Sequence, residues 1–148
     1  MATQLANSAR VVDSAVGCPE IPIIVGPGNA RVVMWPGNDA QFRTLQIITL
    51  ERGARTIRLN HGSDAVYYVM SGTGSIADLG SSEVFPLVEG AMVHIDAGDA
   101  YQFIANDDQD VKILGGPCPA DERLYADLLS RKENSKWRSE YFIAIIPL

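Results

Sequence analysis

Two side chains in this sequence have an ordinary pKa close to neutrality, His61 and His94. Around them stand groups that can work with an imidazole. Tyr67, Tyr68 and Tyr101 offer phenols, and Asp64, Asp96 and Asp99 offer carboxylates. Histidine with carboxylates can hold a divalent metal, whereas histidine with a phenol is suited to moving protons to and from a carbonyl compound. Cys18 and Cys118 lie 100 residues apart with no metal or redox spacing. Both are expected to be free thiols. Arg43, Arg55 and Arg58 could anchor an anion or simply be exposed sheet residues.

The elements that must position these groups read as short β-prone runs between turn signals. Runs at 21–25, 31–35, 41–50, 55–59, 65–70, 75–78, 83–88, 91–95, 100–105 and 111–114 are separated by Gly, Pro, Asn and Asp clusters. About ten strands in under a hundred residues point to an all-β sandwich or barrel. Pro119-Ala120-Asp121 opens one helix, expected over 119–132, with Leu124, Tyr125, Leu128 and Leu129 on one face. A single domain is expected: an arm at 1–18, a barrel at 19–116, the helix, and a strongly apolar segment at 137–148. That last segment would close its own barrel or be lent to a second subunit. Trp35 and Trp137 are read as core or interface residues.

The 148 residues are enough for one core, and 47% apolar with 20% charged is a soluble globular balance. The net charge of −6 argues against nucleic acid or an anionic membrane as partner. No run approaches the roughly 18 apolar residues of a spanning helix, and the start lacks the pattern of a secretory signal. A cytoplasmic location is expected.

Two segments resemble the paired motifs of the cupin superfamily. In the first, Gly53 is followed by five residues, then Leu59-Asn60-His61, Ala65, and Gly72 at the matching distance. In the second, Gly90 leads to Asp96-Ala97-Gly98, then Tyr101 and Ala105. The resemblance spans about 41–115 and implies a double-stranded β-helix, or jelly-roll, barrel with one short C-terminal helix. It also implies a metal held by two His and a Glu from the first motif and a His from the second. Here those four positions are Leu59, His61, Ala65 and Tyr101. Leu and Ala offer no lone pair, so the expectation is no metal cofactor, with His94, Asp64, Asp96 or Asp99 as replacement ligands if one binds. Small cupins also commonly pair back to back, so a homodimer is expected.

Strand alternation places Leu59, His61, Ala65 and Tyr67 on an inner face with Tyr101 and Phe103. The expected site therefore has His61 as general base and Tyr101 as general acid. Tyr67, Phe103, Leu59 and His94 would contact a small-molecule substrate. The expected activity is metal-independent: isomerisation, cyclisation, epimerisation or elimination on a small carbonyl or polyketide-like compound. A non-catalytic small-molecule-binding cupin is the alternative, and a metal-dependent oxygenase with unorthodox ligands is the second.

Overall fold

A computed structural model describes residues 9–40 and 42–130. The apolar segment at 137–148 and Trp137 lie outside them. The strands are β1 (Ile24–Val25), β2 (Gly28–Met34), β3 (Leu45–Leu50), β4 (Arg55–Thr56), β5 (Ala65–Gly72), β6 (Gly74–Asp78), β7 (Glu83–Leu87), β8 (Met92–Ile95), β9 (Tyr101–Ala105) and β10 (Val111–Pro117). They form two antiparallel five-stranded sheets, ordered β2-β3-β10-β5-β8 and β1-β4-β9-β6-β7. The all-β jelly roll expected from the sequence is therefore present. Its two ladders stay separate, so it is an open two-sheet form rather than a closed barrel.

Alternation decides which side chains fill the space between the sheets. Ala65, Tyr67 and Val69 of β5 point in, while Val66, Tyr68 and Met70 point out. On β9, Tyr101, Phe103 and Ala105 point in. Ile48, Leu50, Val111 and Ile113 complete a core with essentially no exposed surface. The β5–β6 turn requires glycine at position 72. Its φ is +81°, and a Cβ there would collide with the backbone carbonyl of Asp110.

The sequence places Leu59 at the end of a strand, but β4 stops at Thr56. Leu59 instead forms an isolated bridge with Tyr101, its N–H donating to the Tyr101 carbonyl at 2.9 Å and its carbonyl accepting from the Tyr101 N–H at 2.8 Å. The helix also starts later than expected. Asp121 caps a 3-10 turn over Glu122–Tyr125 by accepting from the Arg123 N–H, and α-helix follows at 126–130.

Between β10 and this helix the chain crosses one end of the jelly roll as a strap. The Cys118 N–H donates to the Asp64 carbonyl at 3.0 Å, and the Ser63 hydroxyl donates to the Pro119 carbonyl at 2.7 Å. Its far end is pinned by Tyr125, which is fully buried against Trp35 (ring centroids 5.5 Å apart) and accepts from the Gln46 side chain. Burial, which outweighs the opposing hydrogen bonds of Thr44 and Gln46, pushes the Tyr125 phenol up to about 12. Among the described residues, no helix is long and apolar enough to cross a membrane.

Candidate active site

The strap lays Asp121 against His61, which sits in the loop between β4 and β5. His61 Nδ1 lies 2.7 Å from Asp121 Oδ2, and His61 Nε2 lies 2.6 Å from the Tyr101 hydroxyl on β9. The Tyr101 hydroxyl is in turn 2.7 Å from that of Tyr67 on β5. His61 is 4% exposed and Tyr101 1%. Four residues from four parts of the chain thus form one continuous buried hydrogen-bonded chain.

The protons along it follow from the donor inventory. An ionised carboxylate only accepts, so His61 Nδ1 carries a hydrogen and donates to Asp121. In a neutral imidazole Nε2 is then an acceptor, so the Tyr101 hydroxyl donates to it. Tyr67, left facing the Tyr101 oxygen, donates to that oxygen. Every member is satisfied, and no described buried side-chain polar atom lacks a partner.

Electrostatics agree with this assignment. Burial pulls the His61 pKa below its usual 6.5, with the Asp121 hydrogen bond and charge opposing only in part. The ring is neutral near pH 7. At Asp121, burial works against the charge, but hydrogen bonds from Arg123 and His61 outweigh it and hold the carboxyl below 3.8. Arg123 grips Asp121 through Nε at 3.1 Å and Nη2 at 2.9 Å, and Nη2 also donates to the Asn60 carbonyl at 2.6 Å. Burial, added to by the neighbouring phenol, raises Tyr101 far above the ordinary range; burial also raises Tyr67 strongly. Both phenols stay protonated.

Aromatic packing fixes the rings. Phe103 meets Tyr67 edge-on at 4.8 Å between centroids and Tyr101 at 5.6 Å. Tyr101 also lines a narrow slot of about 100 Å³ between the sheets, walled by Ile76, Phe85, Val93 and Ile95 with Asp78 and Asp99 among its lining residues. On its other side, His61 lines an open bowl of about 720 Å³ formed by the Asn60–Ser63 loop and the strap. The pair stands as a partition between the slot and the bowl.

The structure brings together His61, Tyr101, Tyr67, Phe103 and Leu59. His94 also borders the slot that Tyr101 lines, but its side chain turns outward from β8 and is 56% exposed, because its neighbours Val93 and Ile95 take the inner face. There it lies 3.7 Å from Asp64 and 3.5 Å from Asp96, an exposed group whose ligand atoms fall within 4.8 Å of one another. Asp99 is outside that group. Asp121 and Arg123 were not foreseen as site residues. The sequence marks Asp121 only as a helix opener, and nothing local ties it to a histidine 60 positions earlier.

The cupin-domain family model matches residues 46–115, which contain both glycine-spaced motifs and three members of the hydrogen-bonded chain. Residues 46–115 are a cupin domain. No curated protein matches the sequence. Solved structures similar to this cupin include a cupin-like protein from Thermotoga maritima, 18% identical, covering 71% of this chain and 80% of that one with a TM-score of 0.61. The polyketide cyclase RemF from Streptomyces resistomycificus is 15% identical, covering 76% and 83% at 0.64. A protein from Thermotoga maritima described as a predicted oxalate decarboxylase is 20% identical, covering 75% and 100% at 0.62. At these identities the likeness concerns the fold.

The cupin metal position can be tested against the residues present. Leu59 and Ala65 have no donor atoms, and both nitrogens of His61 already have hydrogen-bond partners. Tyr101 is held as a neutral phenol. One engaged imidazole and one protonated phenol do not make the three- or four-donor set that a first-row metal takes. The donor set at this position does not fit a metal.

Proposed function

We propose that this cupin is a metal-independent enzyme that moves protons on a small carbonyl compound, by isomerisation, cyclisation, epimerisation or elimination. The observation that carries the reading is the Asp121–His61–Tyr101–Tyr67 hydrogen-bonded chain, two of whose members stand at cupin metal-ligand positions. A substrate carbonyl inserted at the Tyr101–His61 contact, where the slot and the bowl meet, would take the Tyr101 proton as a hydrogen bond. That frees the Nε2 lone pair of His61 to remove a carbon-bound proton. Asp121 stabilises the imidazolium formed, and the Tyr101 hydroxyl keeps its proton and stabilises the developing oxyanion by hydrogen bond. His61 then returns the proton to a different atom of the substrate or to the leaving group. Tyr67, Phe103 and Leu59 hold the two rings in place.

The test is deuterium exchange from solvent into a panel of small ketones and β-dicarbonyl compounds, followed by NMR with product analysis. His61→Ala should abolish exchange and turnover while circular dichroism shows the fold intact. Near wild-type rates in that variant would remove the proposal. The narrowness of the slot favours one other reading, a non-catalytic binder. Saturable ligand binding without exchange or product in the wild-type protein would establish it.

A further inference from the structure

Beside the open bowl lies a second recess of about 250 Å³, which shares Asn60, His61, Asp121 and Arg123 with it. The rest of its wall is apolar, Ile23, Ile57 and Leu124 included, except for Arg58. Two backbone hydrogen bonds hold the segment that bears Arg58. The Ile57 N–H donates to the Ile23 carbonyl at 2.8 Å, and the Leu59 N–H donates to the Tyr101 carbonyl at 2.9 Å. Arg58 is three residues from His61, so their Cα atoms are at most about 11 Å apart, within the span of a small molecule and an arginine side chain.

The charges of this recess do not cancel. Two guanidinium groups, Arg58 and Arg123, stand with one carboxylate, Asp121. Asp121 is already bonded to His61 and Arg123, while Arg58 takes part in no ion pair among the described residues. Arg123 uses Nε–H and its two Nη2 hydrogens on Asp121 and the Asn60 carbonyl, which leaves the Nη1 hydrogens for an incoming acceptor. In a chain of net charge −6, one surplus positive charge in a recess attracts a single anion. That surplus matches a carboxylate rather than a doubly charged phosphate. The bowl has the opposite balance, since Glu122 joins Asp121 there against Arg123 alone.

We propose that Arg58 and Arg123 form a carboxylate-binding subsite, and that the substrate of the His61 chain is a small keto acid whose carboxylate sits in this recess. The apolar wall receives the carbon skeleton between the acid and the carbonyl. The substrate assignment rests on the proton-transfer function proposed above; the anion subsite stands without it.

Two probes test this: levulinate, a ketone with one carboxylate, and its methyl ester, the same ketone without the charge. Binding is read by NMR titration, and proton removal by deuterium exchange. The wild type should bind levulinate at least about tenfold more tightly than the ester at low salt, as a charge-assisted hydrogen bond provides. Added salt should shrink the difference. In Arg58→Gln the preference should vanish, and Arg58→Lys should recover part of it. Arg58 is exposed, so both variants should keep the wild-type far-UV spectrum. Equal binding of acid and ester by the wild type, or a preference that survives Arg58→Gln, would overturn the subsite. Preferential binding of levulinate with no exchange into any ketone would uphold the subsite and remove the keto-acid substrate along with the enzymatic reading. Exchange into the ester as fast as into the acid would remove the keto-acid substrate and leave the enzymatic reading standing.

Discussion

Asp121 Oδ2 receives the Nδ1 hydrogen of His61 at 2.7 Å, and the same carboxylate caps the turn that begins at Glu122. One residue therefore fixes both the tautomer of the imidazole and the path of the strap. Its two roles are separable because asparagine caps a helix about as well as aspartate does.

Asp121→Asn should lower stability by about 1–3 kcal/mol, since the cap survives but the charged hydrogen bonds from His61 and Arg123 are weakened. Turnover should fall by about 10²- to 10⁴-fold, since the imidazolium loses its counter-charge. NMR titration should show the His61 pKa moving still lower than in the wild type, a shift that a merely structural role of Asp121 would not produce.

The two buried phenols differ in what they leave behind. Tyr101→Phe strands both His61 Nε2 and the Tyr67 hydroxyl, and should cost about 2 kcal/mol or more in urea unfolding. Tyr67→Phe leaves the Tyr101–His61 bond in place and should cost about 1 kcal/mol. Equal costs would show that the Tyr101 hydroxyl does not bridge His61 and Tyr67 in one hydrogen-bonded chain.

Stability should respond to acid in two stages. His61 has a folded pKa below its unfolded 6.5, so on acidification the unfolded chain takes up a proton first. The contribution is constant above 6.5 and is lost progressively as pH falls from there toward the folded value. Asp121, whose folded pKa is depressed, stabilises above 3.8, and that stability is lost as pH falls through its folded value. Denaturant midpoints measured from pH 8 to pH 3 should show the first decline in the wild type but not in His61→Gln. The acid limb of kcat/KM should likewise lie below 6.5.

Elemental analysis of protein purified without chelator should find no stoichiometric iron, nickel, zinc or manganese. A one-to-one metal content lost in His61→Ala would place an ion at the Tyr101 end of the imidazole and displace the acid–base mechanism. A content lost only in His94→Ala would assign the ion to the exposed Asp64–His94–Asp96 group.

Much of the fold was legible because strand alternation is a local signal. The inward set Ala65, Tyr67, Tyr101 and Phe103 follows from period-two reasoning once the glycine spacing anchors both motifs. His94 shows where that reasoning stops. Its face depends on whether β8 starts at an even or an odd residue, and the partner register Val66↔His94 settles this only in the folded sheet. Asp121 lay beyond reach for another reason. Its role depends on a strap that crosses one end of the fold, held down at Tyr125 by Gln46 and at Pro119 by Ser63, both distant in sequence. Alternation assigns faces but does not count volume, and the rings of Tyr67, Tyr101 and Phe103 occupy the space themselves.

That filled space bears on how this cupin could have come to its present form. Ala65 has no exposed surface, and Leu59 is buried with its backbone paired to Tyr101. Putting a glutamate and a histidine back at those positions would set new polar bulk against packed aromatic rings, in a region where His61 and Tyr101 already bond each other. No single exchange restores a coordinating pocket without first breaking the hydrogen-bonded one. Descent from a metal-dependent ancestor would be hard to reverse one residue at a time.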